Sequence, residues 1–188
     1  MIGSTGSGKS TLINLIPRYY DVTKGSVKVD GVDVRDMTQK ELRDKLGYVP
    51  QKGVLFSGTI DSNIRYGKPE ITDAQVKEAA EVAQATEFID TKPEKYESPV
   101  SQGGTNVSGG QKQRLSIARA IAKDPEIFIF DDSFSALDFK TDSQLRKALK
   151  EYTKDATTVI VAQRISTILG ADQIIVLEDG QIVERGTT

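Results

Sequence analysis

The sequence predicts an α/β protein with a mainly parallel sheet, and three observations support that fold class. Two nearly continuous apolar runs, residues 126–132 (EIFIFDD) and 157–163 (TTVIVAQ), are typical of parallel strands that are buried on both faces. Between them, residues 143–152 (SQLRKALKEY) repeat apolar side chains at helical spacing. This alternation of strand, helix and strand is the pattern of an α/β domain.

Peripheral elements are indicated by local turn and cap signals. Residues 26–34 and 174–184 each place strand-like sequence around an Asp-Gly pair, which is a strong signal for a two-residue antiparallel hairpin. Residues 38–41 (TQKE) and 72–75 (TDAQ) have the capping-box pattern, in which two side chains satisfy the first backbone N–H groups of a helix. We therefore expect hairpins and helices around the parallel sheet.

The middle of the chain, about residues 57–120, shows helical patterns and no convincing strand. A chain of 188 residues is large enough for one domain with a substantial core. We therefore expect a single domain, residues 1–188, in which a helical subdomain is inserted into a core formed by about residues 1–56 and 121–188.

The composition excludes several classes of function. The net charge of −2 provides no basic field for nucleic acid or for an anionic membrane surface. The chain has no cysteine and no histidine, which excludes disulfides, thiolate chemistry and an imidazole base. The apolar runs are far shorter than the roughly 20 residues that cross a bilayer. We expect a soluble, cytoplasmic domain.

Residues 3–11 (GSTGSGKST) match the phosphate-binding loop (P-loop) pattern G-x-x-x-x-G-K-[ST]. Glycines let the backbone wrap closely around phosphates with its N–H groups pointing inward. In this pattern Lys9 reaches the β- and γ-phosphates, and the Ser10 hydroxyl ligates Mg²⁺. The residues expected to bind nucleotide are Gly3, Ser4, Thr5, Gly6, Ser7, Gly8, Lys9, Ser10 and Thr11.

Two adjacent acids, Asp131 and Asp132, stand at the end of the apolar run 127–130. A P-loop protein needs an acidic residue at the end of a neighbouring strand, where it holds Mg²⁺. Asp131 is the candidate for that role. Together with the P-loop, it predicts a P-loop NTPase core of the RecA-like kind.

Residues 106–114 (NVSGGQKQR) predict a second helix start that suits phosphate. Ser108 and Gln111 form a capping-box pair there, and backbone N–H groups at a positive helix end attract anions. One domain has little use for two such elements unless the second serves the nucleotide of another subunit. The stretch resembles the signature loop of ATP-binding cassette (ABC) proteins, in which two cassettes pair head to tail and sandwich two ATP molecules.

The resemblance covers essentially the whole chain. Residues 48–51 (YVPQ) look like the family's Q-loop, and residues 135–138 (SALD) look like its D-loop. The resemblance implies that Gln51 contacts Mg²⁺ and the attacking water, and that Asp138 helps to form the opposite site. It also implies four signature residues that contact the partner's ATP, namely Ser108, Gly109, Gly110 and Gln111.

Two further segments resemble ABC exporters in particular. Residues 54–64 (VLFSGTIDSNI) and 98–104 (SPVSQGG) are similar to exporter sequences, and the second lies where exporters touch their membrane domain. Gln102 replaces the glutamate that is usual in that loop. The resemblance therefore implies a transmembrane partner domain and a location at the cytoplasmic face of the cell membrane.

Two positions depart from the family's catalytic pattern. Asp132 stands where active cassettes carry a glutamate that positions the attacking water, and its side chain is shorter by roughly 1.5 Å. Gln163 stands where a histidine contacts the γ-phosphate, and an amide cannot carry positive charge. With Gln51, these are the expected catalytic residues. We expect slow hydrolysis at this site and a non-identical partner cassette that keeps the glutamate and the histidine.

The chain begins two residues before the P-loop and stops at GTT. We therefore expect a cassette trimmed at both ends, without the upstream aromatic residue on which the family stacks adenine. The membrane-spanning half of a transporter would normally precede such a cassette.

Two other functions remain open at this stage. The first is an ABC ATPase that acts on DNA, although such proteins insert long coiled coils between the Q-loop and the signature, and the charge of this chain is unfavourable. The second is a regulatory nucleotide-binding module without turnover.

Overall fold

A computed structural model describes residues 1–187 and has the α/β architecture expected from the sequence. Its strands are β1 (Ile2–Gly3), β2 (Lys28–Val29), β3 (Val32–Asp33), β4 (Leu46–Val49), β5 (Gly58–Thr59), β6 (Pro99–Val100), β7 (Ile127–Asp131), β8 (Thr157–Val161), β9 (Ile174–Glu178) and β10 (Gln181–Gly186). Its α-helices are α1 (Lys9–Ile13), α2 (Gln39–Asp44), α3 (Ile60–Ile64), α4 (Asp73–Val82), α5 (Thr86–Asp90), α6 (Gly109–Ala122), α7 (Phe139–Tyr152) and α8 (Ile165–Ile168). Short 3-10 helices lie at Val34–Asp36, Lys95–Glu97 and Gln102–Gly104.

The central sheet is mainly parallel, as predicted. Strands β4, β7 and β8 pair in parallel in that order, while β1 pairs in parallel with β9, and β10 is antiparallel to β9. Met1 joins the two groups, because its amino group donates to the Ile160 carbonyl (2.6 Å) and its carbonyl accepts from the Ala162 N–H (3.1 Å). The strands therefore follow one another in the order β4, β7, β8, β1, β9, β10.

Strand β7 is buried on both faces, which explains its continuous apolar sequence. Phe128 and Phe130 point into the larger hydrophobic cluster, which also contains side chains of α6 and α7. Ile129 points to the opposite face and packs with Ile13 of α1 and Val161 of β8. The predicted buried strand is therefore confirmed, and it carries its acidic residues at the edge where the parallel strands end.

The stretch between β4 and β7 is mainly helical. Helices α3, α4 and α6 pack together, and α6 also contacts β4. The prediction that this stretch lacks strands was wrong in one detail, since β5 and β6 form a small antiparallel pair. Each of these strands has two residues, which is too short to leave a periodic pattern in the sequence.

The local turn and cap predictions are confirmed. Antiparallel hairpins form between β2 and β3 and between β9 and β10. Helices α2, α4 and α6 each begin with a complete capping box. Helix α7 begins earlier than the apolar pattern indicated, because the Asp138 side chain caps it by accepting from the Thr141 N–H. Within residues 1–187, no helix combines the length and the apolar character needed to cross a membrane.

Candidate functional site

The P-loop, residues 3–11, connects β1 to α1 and encloses a buried ammonium group. Lys9 is 8% exposed, and its Nζ donates to the carbonyl oxygens of Gly3 and Ser4 (both 2.8 Å) and to Ser7 Oγ (3.3 Å). Gly8 ends the loop at φ 98°, a backbone conformation that favours glycine. No carboxylate within residues 1–187 forms an ion pair with Lys9. A buried cation without a counter-ion suits a phosphate ligand.

The loop is held in place by the hairpin at the sheet edge. The N–H of Gly180, in the turn between β9 and β10, donates to the Ser7 carbonyl (2.9 Å). The Ser7 N–H donates to the Ser4 carbonyl (3.1 Å), and the Ser7 side chain is buried. The loop conformation therefore depends on the strand pairing of β1 with β9.

Two oxygen ligands meet where α1 faces the end of β7. Ser10 Oγ donates to Asp131 Oδ1 at 3.1 Å, and the Asp131 side chain is buried. A hydroxyl and a carboxylate are the hard oxygen donors that suit Mg²⁺. Within residues 1–187 there is no cluster of three or more acidic, histidine or cysteine ligands.

Tyr48 is a site residue that the sequence reasoning missed. From β4 its hydroxyl reaches Asn14 Oδ1 (2.9 Å) and Asp131 Oδ2 (3.4 Å). Burial raises the pKa of Tyr48, and the nearby Asp131 charge raises it further, so the phenol stays protonated and can donate. Tyr48 therefore orients the carboxylate that faces Ser10. The sequence signal that could have identified Tyr48 as a site residue is its position three residues before Gln51, in a strand next to β7.

Asp132 and Gln51 face each other beyond the strand ends. Gln51 Nε2 donates to Asp132 Oδ2 at 3.2 Å. The Ser133 hydroxyl donates to the Val49 carbonyl (2.7 Å), which fastens the segment after β7 to the end of β4. This buried contact explains why two residues so distant in sequence come together.

The Asp132 carboxyl is shifted toward its neutral form. Burial raises its pKa, and the adjacent Asp131 charge raises it further, while Arg164, Lys9 and the hydrogen bond from Gln51 act in the opposite direction. A carboxylate with a raised pKa is a stronger base, which suits a group that accepts a proton from water. The sequence reasoning did not identify Arg164 as a charge facing this group.

Gln163 lies at the exposed edge of the same region. It follows Ala162, whose N–H donates to Met1 beside the P-loop strand, and its side chain is exposed. In the part of the chain that the structure describes, that side chain makes no hydrogen bond.

The signature start, residues 108–111, forms the predicted capping box but stands apart from the P-loop. Ser108 Oγ accepts from the Gln111 N–H (3.1 Å), and Gln111 Oε1 accepts from the Ser108 N–H (3.3 Å). The capping box does not use the Ser108 hydroxyl hydrogen, which can therefore be donated to another group. Space around Gly109 is open, with no atom within 4 Å of where a Cβ would lie. Across residues 1–187, no hydrogen bond connects this start to the P-loop.

The D-loop, residues 135–138, lies beside the signature start. A Cβ at Gly110 would lie 3.5 Å from the Ala136 carbonyl oxygen. Asp138 accepts from the Thr141 backbone N–H (2.9 Å) and from its hydroxyl (2.7 Å), and these bonds hold the pKa of Asp138 below its usual range. Asp138 is thus an ionised helix cap at the same surface as Ser108.

The fold and the loop define a P-loop nucleotide-binding domain. The family model described as "ABC transporter" matches residues 1–135. The chain therefore belongs to the ABC transporter family, whose cassettes bind ATP.

Relatives and solved structures agree with this assignment. The chain is 50% identical over 186 residues to proteins from two strains of Staphylococcus aureus, which are provisionally named multidrug export ATP-binding/permease proteins. The match covers 99% of this chain and 32% of those relatives. The structure of a bacterial Atm1-family ABC exporter with ATP bound is similar at a TM-score of 0.95 and 40% identity, and the match covers 99% of this chain and 32% of that one. The chain thus spans about a third of the length of these proteins.

We predict that Lys9→Ala lowers MgATP affinity by about 10- to 100-fold, because it removes a charge-assisted hydrogen bond to phosphate. Isothermal titration of the purified protein measures the change. Lys24→Ala is the matched control, because Lys24 is exposed and outside the loop, and it should leave affinity unchanged. Unchanged affinity in Lys9→Ala would exclude the P-loop as the phosphate site.

Proposed function

We propose that this chain is an exporter-type ABC ATPase domain. It binds MgATP in a head-to-tail dimer with a second cassette, and it couples ATP binding and hydrolysis to export by an associated transmembrane domain. The observation that carries the proposal is the separation of two phosphate-binding elements. The P-loop is complete, while the capped signature start has open space at Gly109 and, within residues 1–187, no hydrogen bond to that loop. The names of the relatives support export.

The residues of the P-loop bind and orient the substrate. Loop N–H groups and Lys9 hold the β- and γ-phosphates, and the Lys9 ammonium exchanges its bonds to loop carbonyls for bonds to phosphate oxygens. Ser10 and Asp131 hold Mg²⁺, with Gln51 as a further ligand. Bound Mg²⁺ supplies positive charge that stabilises the phosphate oxygens.

In this proposal the attacking water lies on the P-loop side of the hydrogen-bonded pair Asp132 and Gln51. Asp132 orients the water and accepts its proton, while the Gln51 amide keeps the carboxylate turned toward the P-loop. Hydrolysis is slow, because the Asp132 side chain reaches less far than a glutamate and the Gln163 amide donates a hydrogen bond without positive charge. ATP therefore stays uncleaved at this site for longer than at the site of a cassette that has the catalytic glutamate and histidine.

The signature and the D-loop complete the site of the partner. Ser108, Gly109, Gly110 and Gln111 contact the partner's ATP, and Asp138 lies at the same surface. The partner is a non-identical cassette that keeps the catalytic glutamate and the histidine. The division into a core (about 1–56 and 121–188) and a helical subdomain (about 57–120) belongs to the same proposal, as does a location at the cytoplasmic face of the membrane.

A role on DNA is disfavoured. Between Gln51 and Ser108, the described helices are short, the longest being the ten residues of α4, and a coiled-coil insertion needs several heptads. The net charge of −2 also gives no electrostatic attraction to nucleic acid.

We predict that Ser108→Arg lowers turnover of the assembled transporter by at least about tenfold, because a long cationic side chain blocks the approach to the partner's phosphates. MgATP affinity at this chain's own P-loop should not change. A steady-state ATPase assay and a nucleotide titration measure the two effects. Loss of affinity at the chain's own P-loop would contradict the cross-dimer role.

We also predict that Asp132→Glu combined with Gln163→His raises hydrolysis at this site by about tenfold or more. Each single change should do little, because catalytic residues act as a unit. The assay uses the assembled dimer with the partner's catalytic glutamate removed, so that residual turnover reports this site. An unmodified protein that already hydrolyses at full rate in that background would refute slow hydrolysis.

A further inference from the structure

A single buried side chain bonds the backbone on both sides of Gln51 in the Q-loop. Gln113, on α6, is 2% exposed. Its Oε1 accepts from the Gly53 N–H at 2.9 Å, and its Nε2 donates to the Pro50 carbonyl at 3.1 Å. Pro50 and Gly53 flank Gln51. We call Gln113, Pro50 and Gly53 the Q-loop clasp.

Close backbone packing reinforces the clasp. A Cβ at Gly53 would lie 2.9 Å from the Lys112 carbonyl oxygen and 2.7 Å from Ser116 Oγ, both of α6. The loop backbone therefore lies directly on the helix, at a distance that excludes any side chain at position 53. This packing joins the same two elements as the Gln113 hydrogen bonds.

The clasp connects two functional elements of the same chain. On one side, Gln51 donates to Asp132 in the chain's own site. On the other side, Gln113 stands two residues after Gln111, in the helix that begins with the signature start. Breaking a hydrogen bond of a buried amide without replacement is costly, so the loop and the helix should move together.

We propose that Gln113 is a positioning residue that ties the Q-loop to the signature helix, so that nucleotide at this chain's own P-loop orients the signature offered to the partner's nucleotide. The inference rests on the proposed function, because it requires head-to-tail pairing. Gln113 itself touches no nucleotide. Its role is to transmit the position of Gln51 to residues 108–111.

Two variants break the clasp in different ways. Gln113→Met keeps the length of the side chain and removes both hydrogen bonds, while Gly53→Ala keeps the Gln113 side chain and places a Cβ against the α6 backbone. Ile121→Val is the control, because Ile121 is a fully buried residue of α6 about two helical turns after Gln113. All three variants are compared by melting temperature in the assembled transporter.

The readout is ATP turnover at the partner's P-loop, measured in the assembled transporter. We expect both clasp variants to lower kcat there by at least about tenfold, with the KM for ATP changed by less than about twofold. Ile121→Val should retain kcat. The proposal is overturned if both clasp variants keep kcat, or if Ile121→Val loses as much.

A double-mutant cycle that combines Gln113→Met with Lys9→Ala distinguishes loss of coupling between the two nucleotide sites from general damage to the structure. In the parent, emptying this chain's site with Lys9→Ala should lower kcat at the partner's site. In Gln113→Met the same change should have an effect below about twofold, because the connection is already broken. If the double mutant lowers kcat by the product of the two single-mutant factors, the proposal is wrong.

Ser108→Arg distinguishes failure of this inference from failure of the proposed function. If Ser108→Arg leaves turnover at the partner's site unchanged, head-to-tail pairing is wrong and the clasp proposal falls with it. If Ser108→Arg stops turnover while Gln113→Met and Gly53→Ala do not, the clasp proposal alone is wrong.

Discussion

The hydrogen bond from Ser10 to Asp131 joins two segments that lie 121 residues apart in the chain. It requires that β1 and β7 end at the same edge of one sheet, with β8 between them. The other groups of the site follow from this arrangement, since Lys9 precedes Ser10 and Asp132 follows Asp131. The strand order therefore brings the P-loop, the bonded pair Ser10 and Asp131, and Asp132 together.

The site combines a buried ammonium with two adjacent carboxylates. Lys9 has backbone and hydroxyl hydrogen-bond partners, while burial and then the adjacent Asp131 charge raise the pKa of Asp132. An anionic phosphate complements the ammonium, and a divalent cation complements the carboxylates. MgATP supplies both charges at once, which is why the nucleotide and its metal form one ligand for this site.

Local features were predicted from the sequence, and features that depend on strand register were not. The P-loop, the capping boxes and the Asp-Gly hairpins involve residues within a few positions of one another, so their patterns are visible in the sequence. The contact of Tyr48 with Asp131 and the bonds of Gln113 to the Q-loop depend on how β4 lies against β7 and α6. The apolar pattern marks α7 only from residue 143, whereas the helix begins at Phe139 directly after its cap, Asp138.

The account holds that this chain retains ATP while the partner's site turns over. The most direct measurement is the chemical state of nucleotide trapped in the working dimer, using ATP labelled on the γ-phosphate and rapid removal of free nucleotide. Intact ATP should remain at this chain's P-loop through many turnovers of the partner's site. Recovery of ADP alone, released at the same rate from both sites, would contradict it.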